Sequence, residues 1–332
     1  MSLNLVQQIF LKIFAFIISL IYSVNGGITA PSTDDIIKAK NDNAKLVFAT
    51  VADPQVSNYL FSRYQAFQEC CIDFRNADRL DAIVGVGDIA ENGLAEEYQL
   101  VYDELKGLDS RFIMASGNHD IRLRAYNQSY ERFAQFTNAL NGDTGMTDNA
   151  YAEGKYAYAE TVNGYRFIVM GSDKTEFEEA YISSEQLAWL DGELAAAEAG
   201  KPVFVVLHQP LKLTHNLPTT WGNGTNPEAG SVGDQNDEIK ATLAKYADEK
   251  TVILITGHLH AGFSQYSYEQ IEGFHSINVP SIAIENKDGE EGGNGSGITY
   301  IVEVYDNEVL FRARNCRTGE WLPRWDTVIP VK

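Results

Sequence analysis

Residues 82–88 read Ala-Ile-Val-Gly-Val-Gly-Asp, an apolar run that ends in a glycine and a carboxylate. The run is short, rich in β-branched residues and free of polar alternation, which is typical of a strand covered on both faces. Five further runs share this character, at residues 46–51, 112–115, 167–170, 203–207 and 252–255. The sequence therefore predicts a set of buried strands, with Asp88 just beyond the end of one of them.

Helical patterns separate the runs, at residues 58–79, 95–108, 183–200 and roughly 237–248. The third pattern begins with Ser183 and Gln186 in a capping box. Two antiparallel hairpins are also predicted, over residues 156–170 and 299–313. Alternation of strands and helices predicts an α/β layered fold. Because no repeat or linker divides the chain, we expect a single domain over residues 43–332.

Side chains that bind metal ions follow five of the runs directly. Six of them are candidate ligands: Asp53, Asp88, Asn118, His208, His258 and His260. Sites in open α/β sheets form beyond the carboxyl ends of the strands, so neighbouring strand ends would bring these side chains into one crevice. Two carboxylates at close range repel each other or hold protons unless cations neutralise them. The pattern therefore predicts a metal site.

Six ligands suit two metal ions better than one. A single Zn²⁺ normally takes about three or four ligands, and carboxylate, amide and imidazole donors without cysteine favour Mn, Fe or Zn. A bridging carboxylate would hold two ions about 3.5–4 Å apart, and Asp88, behind the Gly87 turn, is the predicted bridge. His258 and His260 are two residues apart, so in extended backbone both rings would point into one site.

His119 lies between Asn118 and Asp120 and is predicted to act in acid catalysis instead of metal binding. Asp120 would then accept the second ring proton of His119 and raise its basicity, as the third member of a triad does. Each of these residues alone is more often structural. The assignment depends on the joint occurrence of the motifs, in order and after strands.

Composition excludes several classes of protein. The chain of 332 residues is 44% hydrophobic and 22% charged, which is ordinary for a globular protein. Its formal net charge of −20 argues against nucleic acid and anionic lipid as partners. Three cysteines are too few for a disulfide scaffold. Any anionic substrate therefore needs a local source of positive charge, such as metal ions.

The N-terminal segment differs from the rest of the chain. An apolar run at residues 13–22 follows Lys12 and precedes a small, polar stretch at 23–27, which is the layout of a secretory signal peptide. The run is shorter than the about 20 residues that span a membrane. We therefore expect residues 1–26 to be a signal peptide, and the protein to be secreted or in the cell envelope without stable membrane insertion. A buried helix and an uncleaved anchor are the alternatives.

Taken in order, the motifs resemble those of the calcineurin-like metallophosphoesterases, which read DxH, GDxxxxG, GNH followed by D or E, H, and GHxH. The corresponding residues here are Asp53-Pro-Gln55, Gly87-Asp88 with Gly93, Gly117-Asn118-His119-Asp120, His208, and Gly257-His258-Leu-His260. The resemblance spans residues 53–260. It implies a four-layer αββα sandwich of two mixed sheets flanked by helices, with the metals at one edge of the sheets.

The resemblance also implies how the ligands divide between two divalent or trivalent ions. The implied sets are Asp53, Asp88 and His260 for one ion, and Asp88, Asn118, His208 and His258 for the other. Gln55 stands where the family usually has a histidine ligand. Because some branches share the Asp-Pro-Gln motif, Gln55 is counted among the candidate ligands.

The function that the resemblance implies is hydrolysis of a phosphate ester by a hydroxide that the metal ions activate, with His119 protonating the leaving group. The expected substrate is a small phosphomonoester or nucleotide-like phosphodiester, not a nucleic acid polymer. Its candidate contacts follow the GNHD motif or lie in the loop at 214–235: Arg122, His215 and Trp221. A protein phosphatase and a catalytically weak cell-surface binding protein are the alternatives. The sequence leaves the oligomeric state open.

Overall fold

Two mixed β-sheets form the centre of the protein. The computed structural model describes residues 36–142, 145–216, 230–284, 291–293 and 295–332, and Ile37–Lys332 cluster into one compact unit. The strands in these ranges are β1 Leu46–Val51, β2 Ala82–Val86, β3 Arg111–Ala115, β4 Tyr158–Val162, β5 Tyr165–Val169, β6 Val203–Val206, β7 Val252–Thr256, β8 Tyr268–Ile271, β9 Phe274–Asn278, β10 Ile298–Val304, β11 Glu308–Asn315, β12 Glu320–Trp321 and β13 Thr327–Pro330.

Helices lie between these strands. They are α1 Phe61–Arg75, α2 Ala95–Leu105, α3 Asn118–Ile121, α4 Tyr126–Leu140, α5 Met146–Asn149, α6 Ser184–Ala196 and α7 Asn236–Ala247, with a short 3₁₀ helix at Pro323–Trp325. Across the described ranges, no helix is both long and apolar enough to cross a lipid bilayer. The predicted signal peptide at residues 1–26 lies outside those ranges.

The strand order brings the carboxyl ends of several strands together. The first sheet has the order β12-β11-β10-β1-β2-β3, with β13 beside β11, and the second has the order β4-β5-β6-β7-β9-β8. Strands β1, β2 and β3 are parallel, and so are β5, β6, β7 and β9. In each parallel set, the residues that follow the strands therefore meet at one edge.

The two sheets pack face to face through aromatic side chains. The ring of Phe48 on β1 lies 5.4 Å from that of Phe167 on β5 and 5.2 Å from that of Phe204 on β6. On the outer face of the second sheet, Leu190 of α6 and Leu243 of α7 belong to a separate apolar cluster, and helices α1, α2 and α4 pack on the first sheet. The predicted four-layer αββα sandwich is confirmed.

Most predicted elements are present, with adjusted ends. The β4–β5 hairpin turns through Asn163 and Gly164, whose φ values are 50° and 82°, as a type I′ turn requires. Ser183 caps α6 by accepting from Gln186 N, but the other half of the predicted capping box is absent, because Ser183 N donates to Asp173 instead. Helix α4 was not predicted; it begins at Ala125 without a side-chain cap that could have marked its start.

Candidate metal centre

The predicted ligands meet where the carboxyl ends of both sheets converge. One atom each from Asp53, Asp88 and His260 lies within 4.8 Å of the others, and the same is true of Asp88, His208 and His258. Asp88 is the member that the two groups share. This is the position that a bridging carboxylate would occupy between two cations.

The backbone is strained where these side chains meet. Asp53, Asp88, His258 and His260 have φ values of 49°, 51°, 70° and 51°, and Gln55 has a φ of 38°. Residues other than glycine seldom adopt this left-handed region, and where they do the surrounding fold must hold them there. The strain is thus concentrated in the residues that the sequence singled out.

His258 and His260 were predicted to share a site because side chains two residues apart in extended backbone point the same way, and their left-handed conformation shows that this reason is wrong. Both rings do reach the cluster, but the backbone between them is not extended. Leu259 N donates to Gly257 O over 2.8 Å, which closes a tight turn at the end of β7. The two imidazoles therefore converge because the chain turns, not because side chains two residues apart share a face.

Two glycines make the close approach of the ligands possible. A Cβ on Gly117 would lie 2.1 Å from Asp88 Oδ1, and a Cβ on Gly87 would lie 2.5 Å from His208 Nδ1. Neither contact is sterically possible. Any larger residue at these positions would therefore displace a candidate ligand.

Backbone donors orient the two carboxylates. His258 N lies 3.1 Å and 3.0 Å from the two carboxylate oxygens of Asp53, and His119 N donates to Asp88 Oδ1 over 2.8 Å. Both aspartates are fully buried. Their remaining lone pairs face histidine rings, with Asp88 Oδ2 3.3 Å from His208 Nε2 and Asp53 Oδ1 3.2 Å from His260 Nε2.

His208 presents Nε2 to the carboxylates because its other ring nitrogen is occupied: Nδ1 donates to Val86 O over 2.7 Å. A second-shell bond of this kind fixes which nitrogen can ligate a metal. Burial lowers the pKa of His208, but Asp88 and Asp53 outweigh burial and raise that pKa to about 9. Without a metal, a proton on His208 thus supplies part of the positive charge that the buried carboxylates require.

Opposite effects act on the partners of His208. Burial disfavours the ionised carboxylate of Asp88, but His208 and His119 outweigh it and hold the pKa of Asp88 well below its usual range. Burial, with the charge on His208, holds the pKa of His258 well below that of an ordinary histidine. A neutral imidazole beside an ionised carboxylate is the state in which both groups bind metals.

Asn118 carries the observation that best tests whether a metal fits. Its side chain is 3% exposed, and Oδ1 has no hydrogen-bond partner among the residues described. The other amide atom, Nδ2, donates to Glu178 Oε2 over 3.0 Å. A buried carbonyl oxygen without a partner is costly unless a ligand satisfies it. Carboxylate, imidazole and amide oxygen together form a donor set that suits a divalent cation, so the residues fit a metal.

His119 lies at the edge of this cluster. Its Nε2 is 3.9 Å from Asp88 Oδ2, and its Nδ1 lies 2.7 Å from Glu91 O. Because a carbonyl oxygen only accepts, Nδ1 is the nitrogen that carries the proton in this bond. Nε2 is then the atom that faces the centre, and it accepts from Arg122 Nη2 over 2.8 Å.

The predicted role of Asp120 as the partner of the His119 ring is wrong. The Asp120 carboxylate accepts from four other groups: Ile89 N, Ala90 N, Gly117 N and Tyr98 Oη, at 3.2, 3.1, 2.8 and 2.9 Å. These bonds tie the loop after β2 to the loop after β3. Burial and the charge of Asp88 raise the pKa of Asp120 to about 6. Asp120 is therefore a positioning residue for the loops that carry Asp88 and Asn118.

Arg122 lies beside His119 at the edge of the centre. Besides His119, its guanidinium contacts Glu178 Oε1 at 3.0 Å and stands over the ring of Phe177 at 4.8 Å. Burial raises the pKa of Glu178, although Arg122 opposes the shift. The sequence analysis missed Glu178, which binds both Arg122 and Asn118, because no motif marks an isolated glutamate in a loop.

His215 is not available to a substrate. The residue is 4% exposed; its Nδ1 donates to Tyr266 O over 2.7 Å, and its Nε2 lies 2.8 Å from Ser276 Oγ. The two ring nitrogens thus tie the His215 loop to the backbone at Tyr266 and to strand β9 inside the protein, which corrects the prediction. Trp221, the other candidate in this loop, lies outside the described residues.

The amide group of Gln55 lies among the ligands, with its nitrogen towards Asp88 and His260 and its oxygen towards Arg63. Gln55 is 1% exposed, and its amide nitrogen is 3.2 Å from Asp88 Oδ2 and 3.2 Å from His260 Nε2. Its amide oxygen accepts from Arg63 Nη1 over 3.1 Å. Arg63, on the first turn of α1, was also missed by the sequence analysis, because no motif marks an arginine at this place in a helix.

Comparison with known proteins places this geometry in a wider context. The chain is 23% identical over 200 residues to a probable glycerophosphodiester phosphodiesterase of Arcobacter nitrofigilis, with 59% of this chain and 63% of that protein covered. It is 24% identical over 239 residues to a probable cyclic nucleotide phosphodiesterase of Rhodococcus erythropolis, with 70% and 69% covered. The chain thus spans less than two thirds of the length of the first of these relatives.

Fold comparison agrees with the layered architecture. A purple acid phosphatase from yellow lupin (Lupinus luteus) seeds superposes with a TM-score of 0.60 at 12% identity, covering 86% of this chain and 53% of the lupin chain. The family model for calcineurin-like phosphoesterases matches residues 46–262, more than half of the chain and the whole span of the ligand motifs. The protein therefore belongs to the calcineurin-like phosphoesterase family.

Proposed function

We propose that the protein is a metal-dependent phosphodiesterase for small, nucleotide-like substrates. The observation that carries the proposal is the pair of ligand groups that share Asp88, in which every member but the half-buried His260 is buried. The relatives from Arcobacter and Rhodococcus are both named as probable phosphodiesterases, which supports a diester. The negative net charge of the chain makes nucleic acid polymers poor substrates.

Two ions, drawn from Mn, Fe and Zn, would occupy the centre. Asp53, Asp88 and His260 would hold one, and the second would be held by Asp88, Asn118, His208 and His258. When bound, such ions supply positive charge to phosphoryl oxygens and lower the pKa of water. Binding would also displace the proton that the carboxylates hold on His208, so metal uptake would release protons.

The side chains around the ions have separate tasks. His119, oriented through its bond to Glu91 O, would take up a second proton at Nε2 once Arg122 has left that nitrogen, and would give this proton to the leaving oxygen. Arg122 would leave His119 and donate to the phosphoryl oxygens, since a guanidinium matches the geometry of phosphate. Asp120 and the backbone donors would keep the carboxylates in place during turnover.

A screen with defined metals tests the proposal. Purified protein loaded with Mn, Fe or Zn is assayed against bis-p-nitrophenyl phosphate, cyclic nucleotides and p-nitrophenyl phosphate, and we expect the diesters to be preferred. His119→Ala should lower turnover by about 10²–10⁴-fold without loss of metal. His275→Gln is the control, because His275 bonds to Tyr268 on the outer strands, 3.0 Å away. Undiminished turnover in the His119 variant, or none in the wild type with any metal, contradicts the proposal.

We also propose that the protein is exported, because residues 1–26 have the pattern of a signal peptide. Expression of the full chain in its native host type, followed by N-terminal sequencing, tests it. We expect a mature terminus close to residue 27, and an intact, membrane-bound N-terminus would contradict it.

A further inference from the structure

Two amide side chains, Asn118 and Gln55, border the candidate metal centre. They differ in which amide atom, nitrogen or oxygen, is bonded to a residue outside the centre. Asn118 uses its nitrogen for Glu178, and its buried oxygen has no hydrogen-bond partner within the described part of the chain. Gln55 uses its oxygen for Arg63, and its nitrogen lies beside Asp88. One amide is therefore set up to offer a lone pair, and the other to offer a hydrogen.

The orientation of the Gln55 amide follows from the chemistry of its partners. A guanidinium has donors only, so the amide atom 3.1 Å from Arg63 Nη1 must be the oxygen. An ionised carboxylate only accepts, so the amide atom 3.2 Å from Asp88 Oδ2 must be the nitrogen. Two independent contacts thus give the same assignment. A rotated amide would put two donors together at Arg63 and two acceptors together at Asp88.

Arg63 is itself held in place. Its Nη1 pairs with Glu91 Oε2, and the side chains of Arg63 and Glu91 are 24% and 17% exposed. Glu91 also accepts from His119 through its backbone oxygen. Gln55 has little freedom of its own, because it is 1% exposed and its backbone N donates to Asp88 O over 2.9 Å.

Building on the proposed function, we infer that Gln55 is a hydrogen-bond donor that positions Asp88, and not a metal ligand. Arg63 keeps the amide oxygen of Gln55 away from the cation. The ion at Asp53, Asp88 and His260 then has three protein ligands, while the ion at Asp88, Asn118, His208 and His258 has four. The first ion therefore keeps more positions open for water or substrate and exchanges more readily.

Cobalt substitution tests this inference without turnover, because the visible absorption of Co²⁺ depends on its ligands and geometry. The full chain is titrated with Co²⁺ as wild type, Gln55→Met and Asn118→Leu, each substitution being close in size to the original residue. We expect Gln55→Met to bind the same number of Co²⁺ equivalents with an unchanged spectrum at saturation, but more weakly by about tenfold, because Asp88 loses a hydrogen bond that positions it. Asn118→Leu, the matched control, should change the spectrum and weaken one equivalent by at least about tenfold.

Arg63→Met provides a second and sharper readout. Without the guanidinium, the Gln55 amide can turn its oxygen to the ion, so the Co²⁺ spectrum should shift although Arg63 touches no ligand. The double variant Arg63→Met with Gln55→Met should return to the wild-type spectrum. A purely structural role of Arg63 would not produce that reversal.

The outcomes separate this inference from the proposed function. A changed spectrum or a lost equivalent in Gln55→Met overturns the inference and leaves the metal centre standing. An Arg63→Met spectrum that shifts and stays shifted in the double variant overturns it as well. Wild-type protein that binds no Co²⁺, Mn²⁺ or Zn²⁺ overturns both.

Discussion

Two of the places where the protein buries charge differ in kind, and one of these two is built like a site. Away from the metal centre, Arg314 is fully buried, and its Nε and Nη2 each lie 2.6 Å from an oxygen of Asp73. This bidentate pair neutralises itself within the fold. At the centre, Asp53 and Asp88 face histidines that neutralise them only when protonated. Buried charge alone therefore does not indicate a functional site. A site is indicated where the charge that neutralises a buried carboxylate, such as a proton on a histidine, can be replaced by that of a metal ion.

Replacing Asp88 with asparagine should break the centre completely, which is the largest effect we expect. Both ligand groups lose their shared carboxylate, so turnover should fall by on the order of 10⁶-fold, towards the uncatalysed rate. Free Mn²⁺ at roughly 100 times its Kd should raise the free energy of unfolding of the wild type by about 2.7 kcal/mol. The same Mn²⁺ concentration should not stabilise the variant. Diester hydrolysis, metal analysis and thermal melts with and without Mn²⁺ check this. Wild-type metal content in the variant would contradict it.

The substitution Asp73→Asn removes the negative charge from the buried Asp73–Arg314 pair. The guanidinium of Arg314 stays buried without a counter-charge, so the free energy of unfolding should fall by about 3–5 kcal/mol. Metal content and turnover per folded molecule should not change, because the pair is no part of the centre. Urea denaturation measures the loss. The control is Asp103→Asn, whose partner Lys106 is 52% exposed and which should cost less than about 1 kcal/mol.

Another buried carboxylate, Asp173, sharpens the comparison because neutral donors satisfy most of it. It accepts from Ser183 N and Oγ, Gln186 Nε2 and Tyr151 Oη, at 3.0, 2.6, 2.9 and 2.7 Å, and Lys155 is 3.3 Å away. Burial raises the pKa of Asp173, but the hydrogen bonds from Ser183 and Tyr151 outweigh it and lower that pKa.

A lowered pKa makes this contribution sensitive to acid. The stability from ionised Asp173 is fully present above its unfolded pKa of about 3.9 and is lost as pH falls through the folded value. Asp173→Asn should therefore cost about 1.5–3 kcal/mol at neutral pH, and its difference from wild type should shrink below about pH 4. Urea unfolding at both pH values tests this; a constant difference would contradict it.

Ser183→Ala should give the smallest loss in the free energy of unfolding. Ser183 is an uncharged member of the hydrogen-bond network around Asp173. Ser183 Oγ accepts from Gln186 N over 3.2 Å at the start of α6 and also donates to Asp173 Oδ2 over 2.6 Å, so loss of the hydroxyl should cost about 1–2 kcal/mol. Metal content should stay at the wild-type value. The neighbouring Ser184→Ala, at an exposed position, should change stability by less than about 0.5 kcal/mol. An equal loss in both variants would show that the cap is not what Ser183 contributes.

Prediction from sequence succeeded where the signal was local. The strands that precede the ligands show as apolar runs, so Asp88 and His208 could be found without knowing how the sheets pack. Strand β9 is equally buried, but it reads Phe-His-Ser-Ile-Asn and no apolar run marks it. The partnership of His119 with Asp120 failed for an equally local reason. On the helical turn of α3 adjacent side chains diverge, so Asp120 faces the backbone of the β2 loop while His119 faces Glu91 O.

The sequence by itself determined the strand order along the chain, the ligand types and their place behind the strands, since these are properties of short segments. Only the tertiary structure decided which atoms of those side chains are available. Arg63, Glu91 and Glu178 are not members of the ligand set and no motif spacing marks them, yet they set the directions of Gln55, His119 and Asn118. Hydrogen-bond direction depends on which donor and acceptor meet in space, and no spacing along the chain encodes that.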